Sequence, residues 1–304
     1  MSKKKNNEME EDDFDVMIGK GKKNDKVVPI KLTKDSRFKF RCHKGVRCFT
    51  ACCSNVNIAL PPYDLLRLRK RLGLTADEFI KQHGEIQVLD KTLLPVVTLR
   101  MRDDEKKSCP FVTPEGCTVY EDRPNICRYY PVGMATLRKL DAEGGKDEFY
   151  FMTREDHCKG FEEDHQWTIG EWRADQGADL YDEMNRGWME ILIKKKSHGQ
   201  GKEFPEIKNE MFFKMSFDVD YFRAFVYNST FLEIYDIPAE RLEKIQNDDA
   251  ELLKLSFEWL RQAMFAEETL KFKEGVLEGR KERSDTTMRK VYGNKEKTSL
   301  GEID

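Results

Sequence analysis

The chain has little of what marks a membrane, secreted or nucleic-acid-binding protein. No apolar run approaches the roughly 20 residues a bilayer-spanning helix needs. The opening stretch, Met1 to Lys26, is crowded with Lys, Asp and Glu and holds no apolar leader core, so it does not read as a secretory signal. Lys plus Arg number 53 against 56 Asp plus Glu, a net charge of −3, and the basic excess of a nucleic-acid footprint is missing. There is no P-loop, no zincin helix motif and no Gly-x-Ser-x-Gly elbow. Cysteine is absent from the whole chain outside Cys42 to Cys158. Together these absences predict a cytoplasmic protein with no membrane partner and no strong nucleic-acid signal.

What is present is a dense set of thiols. All eight cysteines, Cys42, Cys48, Cys52, Cys53, Cys109, Cys117, Cys127 and Cys158, share one region. Core cysteines used as small hydrophobes would scatter, and would not include an adjacent pair. The segment Cys42-HKGVR-Cys48-FTA-Cys52-Cys53 is short enough to gather four sulfurs around one point. In a reducing compartment such spacing favours metal over disulfides. A bond between Cys52 and Cys53 would also need a strained ring.

The gaps between successive cysteines (five, three, zero, fifty-five, seven, nine and thirty residues) contain no two-residue interval of a zinc ribbon or redox pair. Two arrangements suit eight thiolates. One is a single iron–sulfur cluster with spare thiols; the other is two metal sites or one polynuclear site. Cys52 and Cys53 can hardly both reach one tetrahedral ion, so they are expected to serve different metals or different atoms of a cluster. The irregular gaps and the surplus of thiolates favour iron–sulfur over zinc. Arg123 and Arg128, next to Cys127, are candidates to neutralise thiolate charge from behind the ligands. His43 and His157 each abut a cysteine and are candidate spare ligands.

The surrounding pattern predicts an α+β chain, mainly helical: a cysteine-rich region of short strands and loops, then a helical C-terminal part. Residues 1–35 read as a disordered charged tail, 36–165 as the cysteine-cluster domain, 166–270 as helices packing on it, and 271–304 as a second charged tail that at first extends the preceding helix. Val56, Ile58 and Leu60 suggest a strand. A helix follows from Pro61-Pro62 to Gly73, and Thr75 with Glu78 forms a capping box for a second that ends at Gly84. Strands are expected at Leu94 to Met101 and from Glu148. From Thr168 one long helix is expected, with Leu180, Met184, Trp188, Ile191 and Leu192 as its apolar stripe. Phe212 to Tyr235 reads as one aromatic helix, with two more after Asp236 and Asp248. Asp103-Asp104 and Asp248-Asp249 read as turn and cap, and Trp172, Trp188 and Trp259 as core.

Cys48-FTA-Cys52-Cys53, the Tyr63-Asp64-Leu65-Leu66-Arg67 helix start and the block Cys109-PF…GCTVYEDRPNICRYYPVG resemble the YkgJ-type cysteine-cluster family across about residues 42 to 160. Many members have two residues where this chain has five between Cys42 and Cys48. The resemblance implies a zinc- or iron-chelating centre. More distantly it implies an iron–sulfur oxidoreductase or a protein-lysine N-methylase, with a protein substrate or redox partner. The residues lend methyl transfer no support. Gly199-Gln200-Gly201 follows a helix rather than a strand, Gly144-Gly145 sits in an acidic loop, and the radical triad spacing breaks at Cys53. Two alternatives stand beside an enzyme: a non-catalytic metal-handling protein, and a thiol redox sensor.

Overall fold

The computed structural model describes residues 27–138, 146–197, 203–276 and 278. Within them the chain is α+β and mainly helical, with ten short strands before residue 169 and seven of its ten α-helices from there on. Strand β1 (Val27–Leu32) pairs with β9 (Lys146–Thr153), which also pairs with β8 (Val132–Arg138), all antiparallel. The β1 residues belong to the stretch expected as a disordered tail. Their β-branched character, framed by lysines, made a strand that the surrounding charge concealed. Residues 1–26 of that expected tail lie outside the described residues, as do 277 and 279–304 of the other.

The helical hairpin follows its sequence signals. Helix α1 (Pro62–Leu72) opens on proline and stops where Gly73 takes φ 68°, a left-handed turn that costs glycine little. Helix α2 (Ala76–His83) has the Thr75/Glu78 capping box complete. Strand β3 is only Ala59–Leu60, and it pairs with β5 (Pro95–Leu99). On the other side of β5 lies β4 (Gly84–Val88), which follows α2 with no loop and has four exposed residues.

The expected long helix is two. The Thr168/Glu171 capping box starts α4 (Ile169–Gln176), Gly177 at φ 65° ends it, and α5 (Ala178–Ser197) begins afresh. This resets the buried stripe to Tyr181, Asn185, Trp188, Ile191 and Leu192, and Leu180 is left 46% exposed. The aromatic stretch likewise breaks at Asp218 and Ser229, giving α6 (Glu206–Phe217), α7 (Val219–Asn228) and α8 (Phe231–Ile234). After α9 (Ala239–Asn247), Asp248 caps α10 (Asp249–Phe265). Helix α10 does not run on into the C-terminal segment. Ala266 adopts φ 56°, the chain turns, and Phe272 bridges Tyr235 with the two rings stacked at 5.3 Å.

Two hydrophobic cores result. The larger joins α1, α2 and the β3–β5–β4 sheet to α5 through α10, and buries Trp188 and Trp259. The smaller packs Phe38, Phe40, Tyr150 and Met152 around Ile169 and Trp172. It is closed by β2 (Arg37–Lys39) pairing with β10 (Gln166–Thr168). The cysteine loops lie between the two cores.

Candidate metal centre

The cysteine segments are fixed by backbone hydrogen bonds, some local and some over long sequence distances. Ala51–Cys53 forms one 3-10 turn, entered through Thr50 at φ 68°. The Cys109 N–H donates to the Cys53 carbonyl at 2.8 Å, and Ser54 bridges Ser108. A two-residue ladder, β6 (Val112–Thr113) with β7 (Gly116–Cys117), holds Cys117 opposite Val112. Cys127 rides on the short helix α3 (Asn125–Tyr129). The Arg41 N–H donates to the Gly160 carbonyl at 3.0 Å, bringing the Cys42 segment beside the Cys158 turn.

The Cys48 sulfur accepts the Lys159 N–H at 3.0 Å, and the nearby backbone N–H groups of Gly160, Phe111 with Val112, and Val119 pull the Cys158, Cys109 and Cys117 thiols down. Such donors favour thiolate over thiol. Burial works against them, raising the pKa of Cys109, Cys117, Cys127 and Cys158. Cys42 is exposed as a residue, yet its sulfur is crowded enough to be pushed up to about 11, by desolvation first and then by Cys52, Cys48 and Cys158. Hydrogen bonding to Cys53, then burial, raises Cys52.

These mutual fields link the thiols into overlapping sets joined at Cys52, which lies against Cys53. Cys42 feels Cys52, Cys48 and Cys158; Cys127 feels Cys109, Cys117 and, more weakly, Cys52. Cys53, Cys109, Cys117 and Cys127 belong to or pack on the larger core, and Cys158 packs on the smaller. Among the described residues, no three His, Cys, Asp or Glu side chains are gathered into a group that could hold a metal ion. The sulfurs are neighbours, linked through Cys52 and Cys53, without being closed around a point.

The arginines do something other than expected. Arg128 is buried and donates to the carbonyls of Arg123 (3.1 Å), Gln176 (2.8 Å) and Glu121 and to the Tyr181 hydroxyl (3.0 Å), with its guanidinium 4.1 Å over the Tyr181 ring. Arg123 donates to the Tyr120 carbonyl and the Gln176 side chain, each at 2.6 Å. These bonds go to oxygen, not sulfur. Arg123 still lowers the Cys117 and Cys127 thiol pKa through its field, whereas Arg128 is a backbone clamp. His43 is likewise engaged on both ring nitrogens, Nδ1 accepting from the Gly45 N–H at 3.1 Å and Nε2 facing Glu163 at 3.2 Å. It has no lone pair to spare for a metal. His157 faces Glu155 at 3.4 Å.

The Tyr-Asp-Leu-Leu-Arg helix start and the Tyr-Glu-Asp-Arg-Pro block meet in space, which sequence reasoning did not foresee. Asp64, fully buried, accepts from the Asn125 N–H at 2.6 Å and the Asn185 amide at 2.8 Å. Arg67 donates to Asp122 at 2.9 and 2.5 Å. Asp182 accepts from Asn125 (2.7 Å), Tyr129 (2.5 Å) and Arg173 (2.9 Å). The only sequence signal was an acid, Asp64, set in an otherwise apolar helix start.

Burial pushes the Asp64 carboxyl up to about 7 against the opposing pull of its two donors and Arg128. A raised carboxyl means the folded state holds that proton more tightly than the unfolded one. This contribution to stability is therefore full below pH about 4 and lost as pH rises through about 7, at up to about 1.4 kcal/mol per pH unit. Urea unfolding of demetallated wild type and Asp64→Asn between pH 5 and 7.5 checks this. The variant is expected to show the flatter dependence, and equal slopes would refute the assignment.

Residues 41–163 match the CxxCxxCC family model, described as "Putative zinc- or iron-chelating domain". This stretch is similar to that family, and the match spans less than half of the chain. No curated protein and no solved structure gives a significant match. The cysteine-cluster domain faces a cavity of 2320 Å³ running between the two cores, with six cysteines in its wall, Cys48 and Cys158 not among them. Small-molecule pockets commonly occupy about 300–1,000 Å³, so this is a channel rather than a fitted pocket. Gly144, Gly145, Gly199 and Gly201, weighed above as a methyl-donor turn, lie outside the described residues. Among the described residues, no helix is long and apolar enough to cross a membrane.

Proposed function

We propose that the cysteine-cluster domain binds iron or zinc through thiolates of Cys42, Cys48, Cys52, Cys53, Cys109, Cys117, Cys127 and Cys158. The observation that carries this reading is the backbone. The Lys159 N–H donates to the Cys48 sulfur at 3.0 Å and the Cys109 N–H to the Cys53 carbonyl at 2.8 Å, contacts that gather cysteine segments distant in sequence whose thiols are largely half-buried or buried. A soft cation would relieve the repulsion among neighbouring thiolates and replace the hydration they lack. Iron–sulfur is the favoured occupant, because eight thiolates at irregular spacing exceed what one four-ligand zinc site uses.

Once bound, such a group would supply electron transfer as an iron–sulfur centre, or structural closure and Lewis acidity as zinc. The chain's own residues position and shield it. The turn hydrogen bonds hold the cysteine segments in place, and Arg123 offsets thiolate charge near Cys117 and Cys127. A channel beside the sulfurs leaves room for a redox partner or protein substrate. That supports a reactive role in the cytoplasm over a closed structural knot.

Metal and acid-labile sulfide analysis of protein purified without oxygen tests the reading. Iron with matching sulfide is the expected result. Stoichiometric zinc without sulfide would replace the iron–sulfur form with the metal-handling one. Protein free of both metals would overturn metal binding and leave the thiol redox sensor.

A further inference from the structure

Strand β4 is an edge of its sheet, paired with β5 on one side only. The ladder fixes which of its backbone groups are used. The Arg100 N–H donates to the His83 carbonyl at 2.7 Å, and the Leu89 N–H to the Leu94 carbonyl at 3.0 Å. In an antiparallel pair, bonded and non-bonded positions alternate. Glu85 and Gln87 therefore turn their N–H and C=O toward β5, and Gly84, Ile86 and Val88 turn theirs away. Pro95, with no N–H to give, stands opposite Val88, where none is needed. Gly84 is satisfied, its N–H donating to the Ile80 carbonyl and its own carbonyl accepting from Arg100. Among the described residues, no hydrogen bond reaches the outward groups of Ile86 and Val88. Their side chains are 56% and 60% exposed.

Proteins usually blunt such an edge with lysine, proline or a bulge; β4 carries none of these. Beside it lies a cleft of 380 Å³ walled by Ile86, Pro95, Phe204 and Phe213. The exposed carboxylates of Glu203, Glu206 and Glu210 border the same cleft. None of the three makes an ion pair among the described residues. Lys195 and Lys208 instead lie over the Phe204 ring, at 4.5 and 5.2 Å. Directly opposite residues share a sheet face, so Ile86, Val88 and Pro95 present one surface to the cleft. Glu85 and Gln87 point to the other face, toward the channel.

We propose that β4 docks an extended segment of a partner protein, added antiparallel as a fourth strand and carrying lysine or arginine at alternate positions. The free N–H and C=O groups of Ile86 and Val88 supply the pairing. The partner residues bonded to them put their side chains on the cleft face. There an aliphatic stem lies along Ile86 and Val88 while its charged head reaches Glu203, Glu206 or Glu210. Charge selects against a second copy of this chain at the same edge, because pairing β4 with itself would bring two sets of these glutamates together. Docking at this edge needs no metal and no cysteine.

Fluorescence anisotropy with labelled peptides of about ten residues and the full-length protein tests this. A peptide alternating lysine with threonine is expected to bind, and one alternating glutamate with threonine to bind about tenfold more weakly or not at all. Methylating the backbone nitrogens of the lysines should abolish binding, because those N–H groups face β4. Methylating the backbone nitrogens of the threonines, which face away, should leave it within about twofold. Glu206→Lys combined with Glu210→Lys should weaken the lysine peptide by about tenfold. Ile86→Pro removes an outward N–H that the fold does not use, and should lose the peptide while keeping the far-UV circular dichroism of wild type. No binding of the lysine peptide, or equal binding of the glutamate one, would overturn the proposal. So would equal binding of the two methylated peptides, which would mean charge attraction without strand pairing. A dimer in sedimentation velocity that Ile86→Pro dissociates would put a second copy on the edge instead. The methylated peptides read strand pairing on wild type, so a variant that misfolds leaves the test decisive.

Discussion

Cys127→Ser is expected to strip metal and to lower the stability of the metal-loaded protein by on the order of 3–5 kcal/mol. Cys127 sits between the two residues that fix its helix. Asn125 is bound by Asp64 and Asp182, and Arg128 ties the same turn to the carbonyls of residues 121, 123 and 176. The sulfur is therefore presented by a rigid frame rather than a loose loop, and serine in its place would offer a harder, poorer ligand with no compensating movement. Metal binding and folding share one free energy, so a lost ligand appears as lost stability. For a folded body of this size each kcal/mol moves the midpoint by about 2–4 °C, which puts the expected fall near 10 °C or more. The control is the same substitution in chelator-treated protein. Cysteine and serine are close in size, so without metal the midpoint should move by only a degree or two. Equal shifts with and without metal would show that Cys127 is a packing residue and not a ligand.

Legibility in the sequence followed the range of the interaction. Features encoded within four residues were readable: the Thr75/Glu78 box, the Gly73 stop, the Asp104 turn in which the carboxylate accepts the Ser108 N–H at 2.8 Å, and the Asp248 cap on Ala250. Boundaries set by a single backbone angle were not. Gly177 at φ 65° looks from sequence like any glycine in a helical pattern, and only the structure shows that it divides α4 from α5. Strands β1, β4 and β8 were missed because each is defined by a distant partner or by an exposed face, which hydrophobic pattern does not record. The cysteines announced a metal centre by their number and crowding. Which core Cys53, Cys109, Cys117, Cys127 and Cys158 pack against is a tertiary fact that their spacing does not record. Asp64 and Asn125 are 61 positions apart; nothing local to either predicts the bond.

Arg128→Lys is expected to cost nearly as much as Arg128→Leu, about 3–5 kcal/mol, although it preserves the charge. The guanidinium spreads its donors over three carbonyls and a hydroxyl while its face lies on Tyr181. A lysine ammonium is a compact point charge with three donors on a flexible stem, and it cannot span that set or stack in the same way. Each buried carbonyl left without a donor costs about 1–3 kcal/mol, and at least two would be stranded by either substitution. Because the clamp carries α3, the damage should reach the metal through position rather than charge. Both variants should lose metal affinity in parallel with stability. If Arg128 instead acted on the thiolates by its field, lysine would retain most of that field and Arg128→Lys would keep wild-type metal affinity. Titration of each variant with zinc against a chromogenic chelator, alongside thermal unfolding, separates the two. Parallel losses support the clamp; metal affinity rescued by lysine alone would return Arg128 to the electrostatic role that its place beside Cys127 first suggested.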